Sequence, residues 1–176
     1  ELTVMEKNIY LDHNATSPLL PEAQTAMSDA AEKSLGNPSS PHWAGREAKI
    51  LLEEARDSLA KSLGAEPREI IFTSGGSESN NAVLRQLSTA SGKQHLITSK
   101  IEHPSVLETC RILAKQPNIG LTELLVDSSG LIDPESLKKG IRSQTSLISL
   151  MTANNETGCL QPIKELSQIA REHEIA

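Results

Sequence analysis

The sequence predicts an α/β protein of three layers, a mostly parallel sheet flanked by helices on both faces. Three observations predict it. From residue 69 onward, short β-type runs alternate with helix-type segments, the order that builds parallel strands with right-handed crossovers. Several helical segments open on proline, which costs no hydrogen bond at the first helical position. The run Ser146-Leu-Ile-Ser-Leu-Met-Thr152 is largely apolar, as in a strand covered on both faces.

Taken in order, Ile9-Tyr-Leu11 is a short extended run, followed by the polar Asp12-His-Asn-Ala-Thr16. Pro21 opens a helix that reaches about Lys33. Gly36-Asn-Pro-Ser-Ser-Pro41 is a loop, rich in glycine, proline and small polar residues. A long helix follows from about Ala44 to Leu63, with Ala48, Leu51 or Leu52, Ala55, Leu59 and Leu63 at helical spacing, and it stops at Gly64. Strand 69–73 leads to helix 77–87, strand 95–98 to helix 104–115, and strand 121–126 to helix 134–140. Asp133 caps that last helix and Pro134 opens it. Strand 146–152 leads through loop 153–158 to a helix from Pro162 to the end.

Hydrophobic residues make up 37% of the 176 and charged residues 23%, a globular balance with no apolar run long enough to cross a membrane. Net charge is −6 and the basic residues are scattered. With only Trp43, Tyr10 and Phe72 aromatic, this argues against nucleic-acid binding. Glu1 to Asn8 show no apolar signal segment. Cys110 and Cys159 read as reduced thiols of a cytoplasmic compartment, with a mitochondrial one also compatible. Neither these cysteines nor the five histidines have metal-ligand spacing, so no metal is expected.

The chemistry concentrates in Thr73-Ser-Gly-Gly-Ser-Glu-Ser79. A Gly-rich turn opening a helix directs orphan N–H groups and the positive end of the helix dipole at an anion. Gly75 and Gly76 allow close approach, and Ser74, Ser77 and Ser79 add hydroxyls. No lysine follows Gly76, which excludes a P-loop, and no third glycine follows, which excludes a dinucleotide fingerprint. Such a cradle suits a dianionic monophosphate, for example the tail of a cofactor; taken alone, the turn also reads as no more than a capped helix start.

Two more polar turns follow strands: Lys100-Ile-Glu-His-Pro104 and Asn154-Asn-Glu-Thr-Gly158. Ligands of open α/β sheets bind at the carboxyl ends of strands. His103 can titrate, stack on a flat ring or donate a hydrogen bond, or simply cap the helix at Pro104. Asn155 can hold an acceptor oxygen without adding charge, or form an Asx turn. Glu156 reads equally as a buried partner or a solvated loop residue.

Tyr10-Leu-Asp-His-Asn-Ala-Thr16, Gly36-Asn-Pro-Ser-Ser40, Ile71-Phe-Thr-Ser-Gly-Gly-Ser-Glu-Ser-Asn80, Ile97-Thr-Ser-Lys-Ile-Glu-His103 and Ala153-Asn-Asn-Glu-Thr-Gly158 occur in this order. Together they closely resemble the cysteine desulfurases and selenocysteine lyases, pyridoxal-phosphate enzymes of the class V aminotransferase group. The resemblance covers nearly the whole chain. It implies an aspartate aminotransferase-like large domain, incomplete here: residues 1-35 as an N-terminal segment and helix, and 36-176 as the N-terminal portion of the cofactor-binding domain. It implies pyridoxal 5′-phosphate as cofactor. Gly76 and Ser77 match the phosphate-binding positions, with serine where the family usually has threonine. His103 matches the histidine that stacks on the ring and moves protons in catalysis. Asn155 matches the asparagine that contacts the ring 3-oxygen. The substrate so implied is L-cysteine or L-selenocysteine, with alanine as product, a sulfur or selenium acceptor protein as partner, and a homodimer as the assembly. Sulfur so released serves iron–sulfur cluster or thio-cofactor biosynthesis, and selenium its recycling.

In that family the Schiff-base lysine, the aspartate that pairs with the pyridine nitrogen, the nucleophilic cysteine and the arginine for the substrate carboxylate all come later than anything matched here. None of the ten lysines lies in the corresponding context, and Cys110 and Cys159 are expected to be structural. The chain is therefore expected to be a piece of a longer enzyme and inactive alone. The alternatives are an inactive binding or regulatory module of that family and an unrelated monophosphate-binding α/β protein.

Overall fold

The computed structural model describes residues 9–176; the segment in which no signal peptide is expected lies outside the described residues. The chain divides into two compact units, one up to Phe72 and one from Thr73 to Ala176.

The first unit holds helices α1 (Pro21–Lys33) and α2 (Trp43–Leu63). Pro21 stands at the start of α1, and the imidazole of His42 caps α2 by accepting from Gly45 N. Helix α2 ends on Gly64 at φ +66°, the left-handed conformation that glycine adopts without a Cβ penalty. The loop before α2 is tight. A Cβ on Gly45 would lie 2.3 Å from Ser40 O, and one on Gly36 would lie 2.2 Å from Ala44 O. Ile9–Leu11 forms no strand.

Strand 69–73 does not form either. Pro67–Glu69 is a 3-10 turn, and Ile70 is extended but has no ladder partner among the described residues. A strand is made by its neighbour. What Ile70 meets is the Arg56 guanidinium, which donates to its carbonyl and lies 5.0 Å over the Phe72 ring.

The second unit is the three-layer α/β domain. Its helices and strands alternate: α3 (Gly76–Leu84), β1 (Gln94–Ser99), α4 (Pro104–Leu113), β2 (Ile119–Leu124), α5 (Pro134–Gly140), β3 (Thr145–Ser149) and α6 (Ile163–Glu172). The sheet is parallel in the order β2-β1-β3. Central strand β1 sends alternate residues to opposite faces. Leu96 packs with Leu84, Leu87, Val106, Cys110, Leu113 and Ile119 on the face of α3 and α4. Ile97 packs with Leu124, Ile132, Leu137, Leu166 and Ile169 on the face of α5 and α6.

Several limits differ from the sequence expectation. Helix 77–87 is α3 followed by a 3-10 turn at Arg85–Ser88. Strand β2 starts and ends two residues earlier than expected, and α4 ends at Leu113. Strand β3 stops at Ser149 because the next amide with a long-range partner, Met151 N, donates to the Glu102 carboxylate. Helix α6 stops at Glu172; the chain then turns back, and Ala176 O accepts from Ile148 N beside β3.

Candidate cofactor site

Three segments of the second unit carry the sequence-predicted residues. Gly76 and Ser77 begin α3. Gly75 precedes them in extended backbone and no side chain caps the helix, so its first amides have no capping acceptor. A Cβ built on Gly75 or Gly76 meets nothing within 4 Å, so both glycines border open space. Two expected hydroxyl donors are otherwise engaged. Ser74 donates through N and Oγ to Glu78 Oε2 at 2.6 and 2.7 Å, which draws the Glu78 carboxyl below its ordinary value. Ser79 Oγ pairs with Thr73 Oγ1 at 2.7 Å. The cradle therefore reduces to the first amides of α3 and the Ser77 hydroxyl, still a dipole-assisted anion site.

His103 does cap α4: its Nδ1 accepts from Ser105 N at 3.1 Å and lies 2.8 Å from Ser105 Oγ. The cap bonds use one edge of a ring that is otherwise exposed, so they leave its faces open. Asn80, one turn along α3 from Gly76, donates to the same Ser105 Oγ at 2.9 Å. That bond ties the phosphate-type cradle to the turn carrying the imidazole.

Asn155 is exposed, and its Nδ2 donates to Glu156 Oε1 at 2.9 Å. Glu156 is thus a solvated loop residue. The Asx turn belongs to the neighbour, Asn154, whose Oδ1 accepts from Glu156 N and Thr157 N, both at 2.9 Å. Asn154 and Glu102 escaped the sequence reading, though both are buried. Their signal was faint: an acid between a strand and a helix cap, and an asparagine four residues before the loop-ending Gly158.

Glu102 Oε1 accepts from Ser99 Oγ at 2.9 Å and from Met151 N at 2.8 Å. Burial raises its carboxyl above the ordinary value, and the two hydrogen bonds oppose that shift. Gln161 braces the loops after β2 and β3, accepting from Ile132 N at 2.9 Å and donating to Gly130 O at 2.6 Å. Cys110 is buried in the core and desolvation pushes its thiol up to about 11, so it is no nucleophile at neutral pH. Cys159 donates through Sγ to Ser129 O at 3.0 Å. Among the described residues no group of three His, Cys, Asp or Glu could hold a metal, and no helix is long and apolar enough to cross a membrane.

An open helix start that suits an anion, bonded to a turn with an exposed imidazole, is compatible with a ligand that joins a phosphate to a flat ring. The chain belongs to the class V aminotransferase family, whose model matches residues 9–176. Its members depend on pyridoxal phosphate, and the open, uncapped start of α3 fits that cofactor's phosphate. Among curated relatives, the cysteine desulfurase IscS of Dictyoglomus turgidum is 49% identical over 174 residues, covering 97% of this chain and 44% of its own length. That of Methanosarcina thermophila is 45% identical over 172 residues, covering 96% and 42%. A solved structure described as SspA in complex with cysteine superposes with a TM-score of 0.88 at 38% identity, over 94% of this chain and 48% of that one. A NifS-like protein gives 0.88 at 35% identity, over 95% and 46%. The chain thus spans under half the length of the relatives it matches.

Proposed function

We propose that the complete protein is a pyridoxal-phosphate-dependent cysteine desulfurase that removes sulfur from L-cysteine to leave alanine, and that this chain supplies the part that seats the cofactor. The observation that carries the reading is the Asn80–Ser105 bond, which couples the open start of α3 to the turn of His103. Gly76 and Ser77 hold the phosphate through backbone amides and a hydroxyl. His103 lies against the ring and moves a proton between substrate and solvent; Asn155 donates to the ring oxygen. When bound, the cofactor supplies an electron sink for the bond changes at the substrate.

The names of the relatives support cysteine as substrate. Selenocysteine is the second substrate under this proposal, and an acceptor protein takes the sulfur or selenium, for iron–sulfur cluster or thio-cofactor assembly. The exposed apolar residues of α1 and α2, among them Met27, Trp43, Ile50 and Leu63, support a homodimer. The two cysteines without a disulfide support a reducing, cytoplasmic compartment.

Borohydride reduction of the complete protein, followed by intact mass, tests the reading. A pyridoxal adduct together with alanine formed from cysteine is the expected result. A protein that neither gains the adduct nor makes alanine is the inactive module instead. The chain of 176 residues alone is expected to make no alanine above the rate of free pyridoxal phosphate.

A further inference from the structure

We propose that Asn154 is a positioning residue: with Glu102 it clasps the turn that carries His103 to the loop that carries Asn155, and so sets the spacing between the two side chains that meet the ring. The inference rests on the cofactor reading above.

The bonds of Asn154 divide into two sets. One set closes its own loop. Oδ1 accepts from Glu156 N, Thr157 N and Thr157 Oγ1, and the backbone exchanges bonds with Gly158 and Cys159. The other set leaves the loop. Nδ2 donates at 2.8 Å to the carbonyl of Ile101, two residues before His103, and also at 3.2 Å to Met151 Sδ on its own side of the clasp. A second bond joins the same two segments, from Met151 N to Glu102 Oε1 at 2.8 Å, and Ser99 Oγ ties that carboxylate back to the end of β1. Both segments lie beyond the ends of β1 and β3, so the sheet ladder does not hold them. A single bond would let them hinge; two bonds, at Ile101 and Glu102 on one side and at Met151 and Asn154 on the other, fix translation and tilt. Asn154 is 5% exposed and Glu102 8%, so water competes little for either bond. His103 is held to its own turn by the cap on Ser105, and a shift of that turn moves the ring with it.

The phosphate cradle stands on a different element, which makes the clasp separable from it. Asn154→Asp keeps an oxygen for the three donors of the loop. It replaces the Nδ2 donor by an oxygen facing the Ile101 carbonyl, so it opens the clasp and leaves the loop closed. The probes are inorganic phosphate and pyridoxine 5′-phosphate, which has the ring and phosphate but no aldehyde, titrated into the cofactor-free complete protein. Asn154→Asp is expected to weaken pyridoxine phosphate about tenfold and inorganic phosphate less than about twofold, the scale of one buried hydrogen bond. Glu102→Ala is expected to show the same selective loss. Glu102→Gln, whose amide oxygen still accepts from Met151 N and Ser99 Oγ, is expected to recover most of it. Equal losses for both ligands, or none, in the variants overturn the proposal, as the clasp would then only support the fold. If Asn154→Asp does not fold, the Glu102 pair decides alone. A wild-type protein that binds pyridoxine phosphate no better than phosphate instead overturns the cofactor reading itself.

Discussion

The two units of this chain use apolar residues in opposite ways. In the unit from Thr73 onward, Leu96, Ile97, Leu113 and Leu137 are buried completely, in two clusters on the two faces of one sheet. In the unit up to Phe72, helix α1 buries no residue and α2 buries only Gly45, Ala48 and Ala60. Leu19, Leu20, Met27, Trp43, Ile50, Leu63 and Ile71 all remain exposed there. The second unit carries its own core. The first is held by local means: a cap, a tight glycine loop and a few small residues at the helix contact. Stability in the two units should therefore answer to different substitutions.

The largest effect is expected in the sheet. Leu96→Ala removes a side chain at 0% exposure from the central strand, and a cavity there costs about 2–5 kcal/mol. Hydrogen exchange across residues 94–124 of the complete protein should accelerate accordingly. A cost below about 1 kcal/mol would mean that the layers pack loosely, and the contrast between the units would dissolve.

Next comes Gly45→Ala in the first unit. The added Cβ meets backbone at Ser40 and Asn37, at 2.3 and 2.7 Å, which no rotamer change relieves. A loss of about 1–3 kcal/mol is expected, read as faster exchange at the start of α2. Gly76→Ala is the control, because a Cβ there meets nothing within 4 Å. Equal costs at the two glycines would break the argument that one is structural and the other lines a ligand site.

A smaller, pH-dependent effect belongs to the second unit. His95 bridges the sheet, with Nδ1 2.8 Å from Thr145 Oγ1 and Nε2 2.9 Å from Thr122 Oγ1. Burial, and secondarily the charge of Arg142, hold its imidazole below the ordinary value of 6.5. The unfolded chain then takes up the proton first as pH falls. The contribution of His95 is fully present above 6.5, and it declines as pH drops from there to the folded value. The difference in stability between the wild type and His95→Gln should shift by no more than about 1.4 kcal/mol per pH unit in that window, against the variant's flatter profile. Identical profiles would show that the imidazole takes up its proton in the fold as readily as in the unfolded chain, and so is not desolvated there.

The same contrast explains what was legible in the sequence. Proline starts, the Asp133 cap and the Gly64 stop are local signals, so α1, α2 and α5 could be placed closely. The β-type run at 69–73 was locally sound and still wrong as a strand, because pairing depends on a neighbour that local sequence does not specify. The end of β3 was misplaced for a related reason: Met151 N is taken by a carboxylate 49 residues away. At the candidate site, the glycine turn that opens α3 and the imidazole that caps α4 were legible by type, since both are local signals at a helix start. The residues that hold them, Glu102 and Asn154, were not. Their burial is created by contacts about fifty positions apart, and nothing beside them in the chain announces it.

The smallest expected effect sharpens the comparison furthest. Ile50 is 58% exposed on α2, so Ile50→Ser should change the stability of this chain by no more than about 0.5 kcal/mol. The same substitution in the complete protein reports on whether something covers that face. If a second subunit does, burial of the isoleucine there is worth roughly 1–2 kcal/mol, and the loss should appear with a weaker dimer in sedimentation. If the cost stays near zero and assembly is unchanged, the exposed residues of the first unit are surface. The support they lend to a homodimer then falls away, while the cofactor reading, which stands on the second unit alone, is untouched.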